Sequence, residues 1–191
     1  MNMDSTELRR HLRGPIGDDQ TPPAWRRSLW DFALTFYARP GIEAACLRLQ
    51  DGAGLDVNAL LWACWLDTHG LTPEEALADA AHPLWAEVSA WQEQITAPLR
   101  RQRRALKEQA LANPAIAELR ETIKHAELLA EREALTRLQA LASTGQGIRP
   151  LGNEDPHLAR RLSIWLATPT FSDLRALHIL QARLDPPSPS D

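Results

Sequence analysis

Residues 57–66, Val-Asn-Ala-Leu-Leu-Trp-Ala-Cys-Trp-Leu, form the longest uncharged apolar run of the chain and constrain its fold more than any other segment. The run is about half of what a membrane span requires, yet it is too apolar for the surface of a soluble helix. It opens after Asp56, a natural N-cap. Leu60, Leu61, Cys64 and Trp65 fall on one helical stripe, widened by Val57 and Trp62. A helix of this kind belongs at the centre of a bundle. Trp30, Trp85, Trp91 and Trp165 join Trp62 and Trp65 at amphipathic positions. Aromatic residues at helical spacing bury the largest areas in any bundle, so the tryptophans read first as core, and a ligand pocket lined by them is the sharper alternative.

The neighbouring segments supply partners for that central helix. Ser28-Leu-Trp-Asp31 has the spacing of a capping box and predicts a helix to about Ala38. Pro40-Gly41 then breaks the chain. A second helix, residues 42–50, places Ile42, Ala45, Cys46 and Leu49 on one face and stops at Asp51-Gly-Ala-Gly54. If these two helices form an antiparallel pair about the glycine turn, Cys46 lies level with Cys64. Two buried, reduced thiols are the plain reading, because free cysteine is among the most buried residue types. A redox pair is the alternative.

Farther along, Thr72-Pro-Glu-Glu75 predicts a short helix to about Ala80. His82-Pro83 opens a longer one with Leu84, Val88, Trp91, Ile95, Leu99 and Leu106 on one side, kinked at Pro98. Asn113-Pro114 caps another long helix, to about Leu141, so residues 84–141 read as a charged antiparallel hairpin. Residues 143–154 carry three Gly and one Pro and read as a linker. Asp155-Pro156 and Thr170-Phe-Ser-Asp173 start two final helices. Nothing reads as a strand. The expected fold is therefore all-α, a bundle of about seven or eight helices. Its expected divisions are a disordered segment 1–27, the bundle with its hairpin at 28–142, the linker, a helical pair at 155–184, and a disordered tail at 185–191.

The chain has 191 residues and a formal net charge of −4, so any site for a polyanion must be local. Residues 1–23 contain no apolar run of the kind a secretory signal needs, and the expected location is the cytoplasm, with no membrane association. Two cysteines are too few for a disulfide framework. No phosphate loop, nucleophile elbow, dinucleotide fingerprint or metal-ligand spacing is present. Glu127, Glu131 and His125 could be imagined around a metal, but no second such pair completes the set. No catalytic residue and no cofactor is assigned.

Two stretches carry a family resemblance: the run from Leu29-Trp-Asp-Phe-Ala-Leu through Tyr37-Ala-Arg-Pro-Gly-Ile-Glu-Ala-Ala-Cys-Leu, and Asp56-Val-Asn-Ala-Leu-Leu-Trp62. It resembles the bacterial family catalogued as domain of unknown function 2390. The likeness continues through Trp91, Pro98-Leu-Arg-Arg101 and Lys124-His-Ala-Glu-Leu128, and covers about residues 29–141. It implies a helical fold and a proteobacterial lineage. No catalytic residue comes with it.

One local feature remains. Arg100, Arg101, Arg103, Arg104 and Lys107 fall within an arc of roughly 160° on a helical projection, opposite the apolar side of the same helix. Five cations on one face could grip an acidic protein or the phosphates of RNA. The stripe has no aromatic residue to stack on bases, and Glu118, Glu121, Glu127, Glu131 and Glu133 on the next helix are available to neutralise it, which is the plain reading of such a charge run. The expected function is a non-enzymatic interaction or adaptor protein. An RNA- or ribosome-associated factor using residues 100–107 is the alternative, and an enzyme of unrecognised type ranks third.

Overall fold

The computed structural model describes residues 28–184, and the segments 1–27 and 185–191 lie outside the described residues. The described residues begin with three helices, α1 (Leu29–Tyr37), α2 (Ile42–Ala53) and α3 (Val57–Thr68). Ser28 caps α1 by accepting from the Asp31 amide at 3.1 Å, and Asp56 caps α3 by accepting from the Asn58 amide at 2.8 Å. Between α2 and α3 the chain reverses at Gly54, whose φ of 70° is a left-handed conformation that suits glycine.

Helix α3 is central, as its composition demands. Residues 59–66 are all buried, and the Trp62 ring, fully enclosed, meets Trp85 edge-on at 5.4 Å. Trp65 is also buried and tilts against His69 at 4.6 Å. Cys46 and Cys64 are both buried and unbridged. Burial pushes the Cys46 thiol up to about 12 and the Cys64 thiol well above its usual range, with the neighbouring Cys46 adding to the latter. Thiols held this firmly in the protonated form are poor nucleophiles.

Two expectations about the middle of the chain are corrected. Residues 71–73 do not start a helix at Thr72; they form strand β1 (Leu71–Pro73), antiparallel to β2 (Ile148–Pro150), and β2 falls inside the stretch read as a linker. The ladder pairs Leu71 with Pro150, Thr72 with Arg149 and Pro73 with Ile148. Leu71 and Ile148 are both buried, so burial of two apolar side chains and backbone pairing across the chain outweigh the local cap signal. The helical turn that follows is a short 3₁₀ piece, Glu75–Ala78.

The hairpin's first arm is also not one kinked helix. After a 3₁₀ turn at Pro83–Trp85 come α4 (Ala86–Trp91), a π-helical turn (Gln92–Thr96), α5 (Ala97–Ala105) and α6 (Lys107–Ala112). Pro98 has no amide to offer the Gln94 carbonyl and crowds it, and the wide turn absorbs the misfit. The turn shifts the helical phase. Ile95, expected on the core side, is 39% exposed, whereas Thr96 is 3% exposed in its place. The second arm, α7 (Pro114–Thr144), runs unbroken behind its Asn113 cap.

The chain closes with α8 (Leu158–Ser163) and α9 (Phe171–Arg183). Asp155 does not cap α8, and His157 holds that position. Asp155 instead accepts two bonds from Arg149, each 2.6 Å, and one from the Gly152 amide at 2.7 Å. Thr170 and Asp173 complete the capping box of α9, which packs on α2, and Arg48 of α2 reaches Asp173 at 3.0 Å. No helix among the described residues is long and apolar enough to cross a membrane.

Candidate functional site

The five cations singled out in the sequence separate into two groups. Arg100 points at α7, donating to Glu127 at 3.0 Å and to Glu131 at 2.8 Å. Arg103 also pairs with Glu127. Arg101, Arg104 and Lys107 are exposed and make no ion pair among the described residues. Positions 100 and 103 of α5, one turn apart, share the edge that reaches the glutamates of α7. Of the acidic partners considered in the sequence, Glu121 instead pairs with Arg120 and Lys124, and Glu133 with Arg137.

Burial shapes the electrostatics of this cluster. At Glu127, burial pushes the carboxyl pKa upward, but hydrogen bonds and charge from Arg103 and Arg100 outweigh it and leave the pKa lowered. At Glu131, burial wins over the single arginine and the pKa is raised. Trp91 ties the same two arms together: its indole N–H donates to the Ala130 carbonyl at 2.9 Å, and the Arg137 guanidinium covers its ring at 4.4 Å.

The paired arginines also form one wall of a cleft of about 820 Å³ between the hairpin and helices α1–α3. Its other walls hold Trp30, Leu34 and Tyr37 from α1, Glu43 and Leu47 from α2, and Asp56 ahead of α3. Leu34 and Leu47 are 49% and 41% exposed there. Asp56 keeps surface open to the cleft, yet protein crowds its carboxyl, and the loss of solvent raises its pKa despite bonds from Gln92 and the Asn58 and Ala59 amides. Burial, aided by Cys46, Glu43 and Glu131, pushes the Tyr37 hydroxyl up to about 12, so it remains a neutral donor.

Thr96 lines the same cleft, and its buried hydroxyl has no hydrogen-bond partner among the described residues. Sequence reasoning missed it, because the apolar pattern pointed to Ile95; Pro98 was the available signal that the phase could slip. Asp56 was visible only as a cap. Among the described residues no group of three or more His, Cys, Asp or Glu side chains converges as metal ligands would, and His125 is exposed.

The chain belongs to the family described as protein of unknown function (DUF2390), which matches residues 28–138. The matched region takes in α1 to α6 and most of α7, and therefore the cleft and every cation of the basic cluster. No curated protein and no solved structure matches the chain.

Proposed function

We propose that this chain is a cytoplasmic, non-enzymatic interaction protein that binds an acidic partner protein through the outer face of the hairpin's first arm. The observation that carries the reading is the division of the cations. Arg100 and Arg103 are spent on Glu127 and Glu131, while Arg101, Arg104 and Lys107, on the same arm, are exposed and make no ion pair among the described residues. Lys107 and Leu111 sit together on α6, one turn apart, with Glu108 beside them in sequence. Leu111 is 80% exposed.

An apolar side chain beside unpaired cations favours a protein over RNA, since phosphates ask for charge alone and bases ask for aromatic platforms that this face lacks. Net charge is negative elsewhere, so the attraction is confined to this face and orients the encounter.

The test is titration of the full chain with poly-L-glutamate and with poly(U), each over a range of salt. The reading predicts binding to poly-L-glutamate that disappears in the variant R101Q/R104Q/K107Q. Tighter binding to poly(U), with a log–log salt slope near −2 from three contacts at about −0.7 each, would transfer the face to RNA. Equal binding by the variant would remove the face from any role.

A further inference from the structure

A second site lies in the cleft between the hairpin and helices α1–α3, which meets the basic face at Arg104. A charge census shows what it would take. Five carboxylates line it, Glu43, Asp56, Glu93, Glu127 and Glu131, against three guanidiniums, Arg100, Arg103 and Arg104. Both Glu127 oxygens are engaged by arginine, and Glu131 uses one oxygen on Arg100. Arg100 and Arg103 are thereby neutralised. Glu43, Asp56 and Glu93 make no ion pair among the described residues, and Arg104, at the cleft's edge, is the one cation left. An anion entering here would meet an excess of uncompensated carboxylates.

The walls also specify the body of the ligand. Leu34, Leu47, Leu55, Val57 and Leu61 offer apolar surface, and Trp30 and Tyr37 offer ring faces. Trp30 already attracts one cation, with the Arg132 guanidinium 5.6 Å from its ring. The volume of about 820 Å³ falls among those of small-molecule sites. The independent sign of a ligand is Thr96. The residue is 3% exposed, and its buried hydroxyl makes no hydrogen bond among the described residues. It sits on a π-helical turn, an irregularity that recurs at functional sites. Leaving a buried hydroxyl unsatisfied is unfavourable, and a ligand atom in the cleft would relieve it.

We propose that the cleft between α1–α3 and the hairpin binds a small organic cation, an ammonium or amidinium group carried on an apolar body, with Asp56 as its counter-ion and the Thr96 and Tyr37 hydroxyls as further polar contacts. The cleft shares Arg104 with the outer basic face, but the contacts assigned to the ligand, at Asp56, Thr96 and Tyr37, do not include it. Each can fail without the other.

Three near-isosteric probes separate the chemistry: 2-phenylethylammonium, 2-phenylethanol and 3-phenylpropionate, titrated calorimetrically into the full chain. The ammonium is expected to bind at one site at least tenfold more tightly than the carboxylate, with the alcohol between them. Asp56→Asn keeps the helix cap, because asparagine caps as well as aspartate. It is expected to bring the ammonium down to the affinity of the alcohol. Glu43→Gln, at an exposed position on α2, is expected to weaken the ammonium several-fold and serves if the first variant does not fold. Equal or tighter binding of the carboxylate, an unchanged ammonium affinity in both variants, or no saturable heat from any probe would overturn the proposal.

Discussion

Helices α3 and α5 are close in length, 12 and 9 residues, and opposite in construction. In α3 nine residues are buried and none carries a charge; in α5 no residue is buried and four are arginines. One is held by packing from every side. The other is held along a single edge by arginine–glutamate pairs to α7, whose arginine side chains keep 24% to 30% of their surface exposed. Packing in a close-packed interior leaves little freedom, and partly solvated ion pairs contribute modestly. The comparison locates cohesion in the tryptophan-rich bundle and leaves the hairpin's first arm free to present chemistry. Both candidate sites border that arm: the cleft lies between it and the bundle, and of the unpaired cations Arg104 stands at the cleft's edge while Arg101 and Lys107 lie outside the cleft lining.

The contrast breaks most visibly at Trp62. Replacing this fully buried ring with alanine is expected to cost about 3–5 kcal/mol in denaturant unfolding, as large-to-small changes in a packed core do. A loss under about 1 kcal/mol would mean that the bundle is not the cohesive half.

Glu127→Gln probes the other half. It removes the negative charge and replaces one of the two oxygens on which the arginines converge with an amide donor, and the expected cost is about 2 kcal/mol, the scale of hydrogen bonds to charged groups. The folded-state pKa of Glu127 is lowered, so its contribution is present above the unfolded value near 4.3 and is lost as pH falls through the folded value. The gap between wild type and variant should therefore narrow on acidification below about pH 4. A gap independent of pH would show that the pair does not hold the arm.

Asp56→Asn should have the smallest effect and the opposite sign. The folded pKa of Asp56 is raised by loss of solvent, so its favourable contribution is complete below the unfolded value near 3.9 and is lost as pH rises through the folded value. With the cap retained, the variant is expected to be more stable than wild type at pH 7 and equal to it near pH 3, read as melting temperature. A carboxylate kept where it weakens the fold is what a binding site requires. A destabilised variant at pH 7 would mean that Asp56 serves the cap alone.

How much of this was legible depended on whether the signal was local. The centrality of α3, the caps at Ser28, Asp56, Asn113 and Thr170, and the pairing of hairpin arms follow from patterns within a few residues of each other. The β1–β2 ladder joins residues more than seventy positions apart, and Thr72 and Pro73 of β1 carry a local helix-start signal that burial of Leu71 and Ile148 overrides. The cleft was illegible for a related reason. A one-residue slip at the π-helical turn exchanged Ile95 for Thr96, so the apolar periodicity of the sequence points to the wrong one of the two. The basic face was legible as charge, but its division into paired and unpaired cations needed the position of α7.

The most direct measurement sets two chemically alike variants of one helical arm side by side, R100Q/R103Q and R101Q/R104Q/K107Q, and records for each the unfolding free energy and the affinity for poly-L-glutamate. The first pair of residues is paired with α7, and the second set makes no ion pair among the described residues. The account predicts that R100Q/R103Q loses about 2 kcal/mol or more of stability while binding through the outer cations persists, and that R101Q/R104Q/K107Q stays within about 0.5 kcal/mol of wild type while binding is lost. The same loss of binding in both variants, or a loss of stability in the second without one in the first, would contradict it.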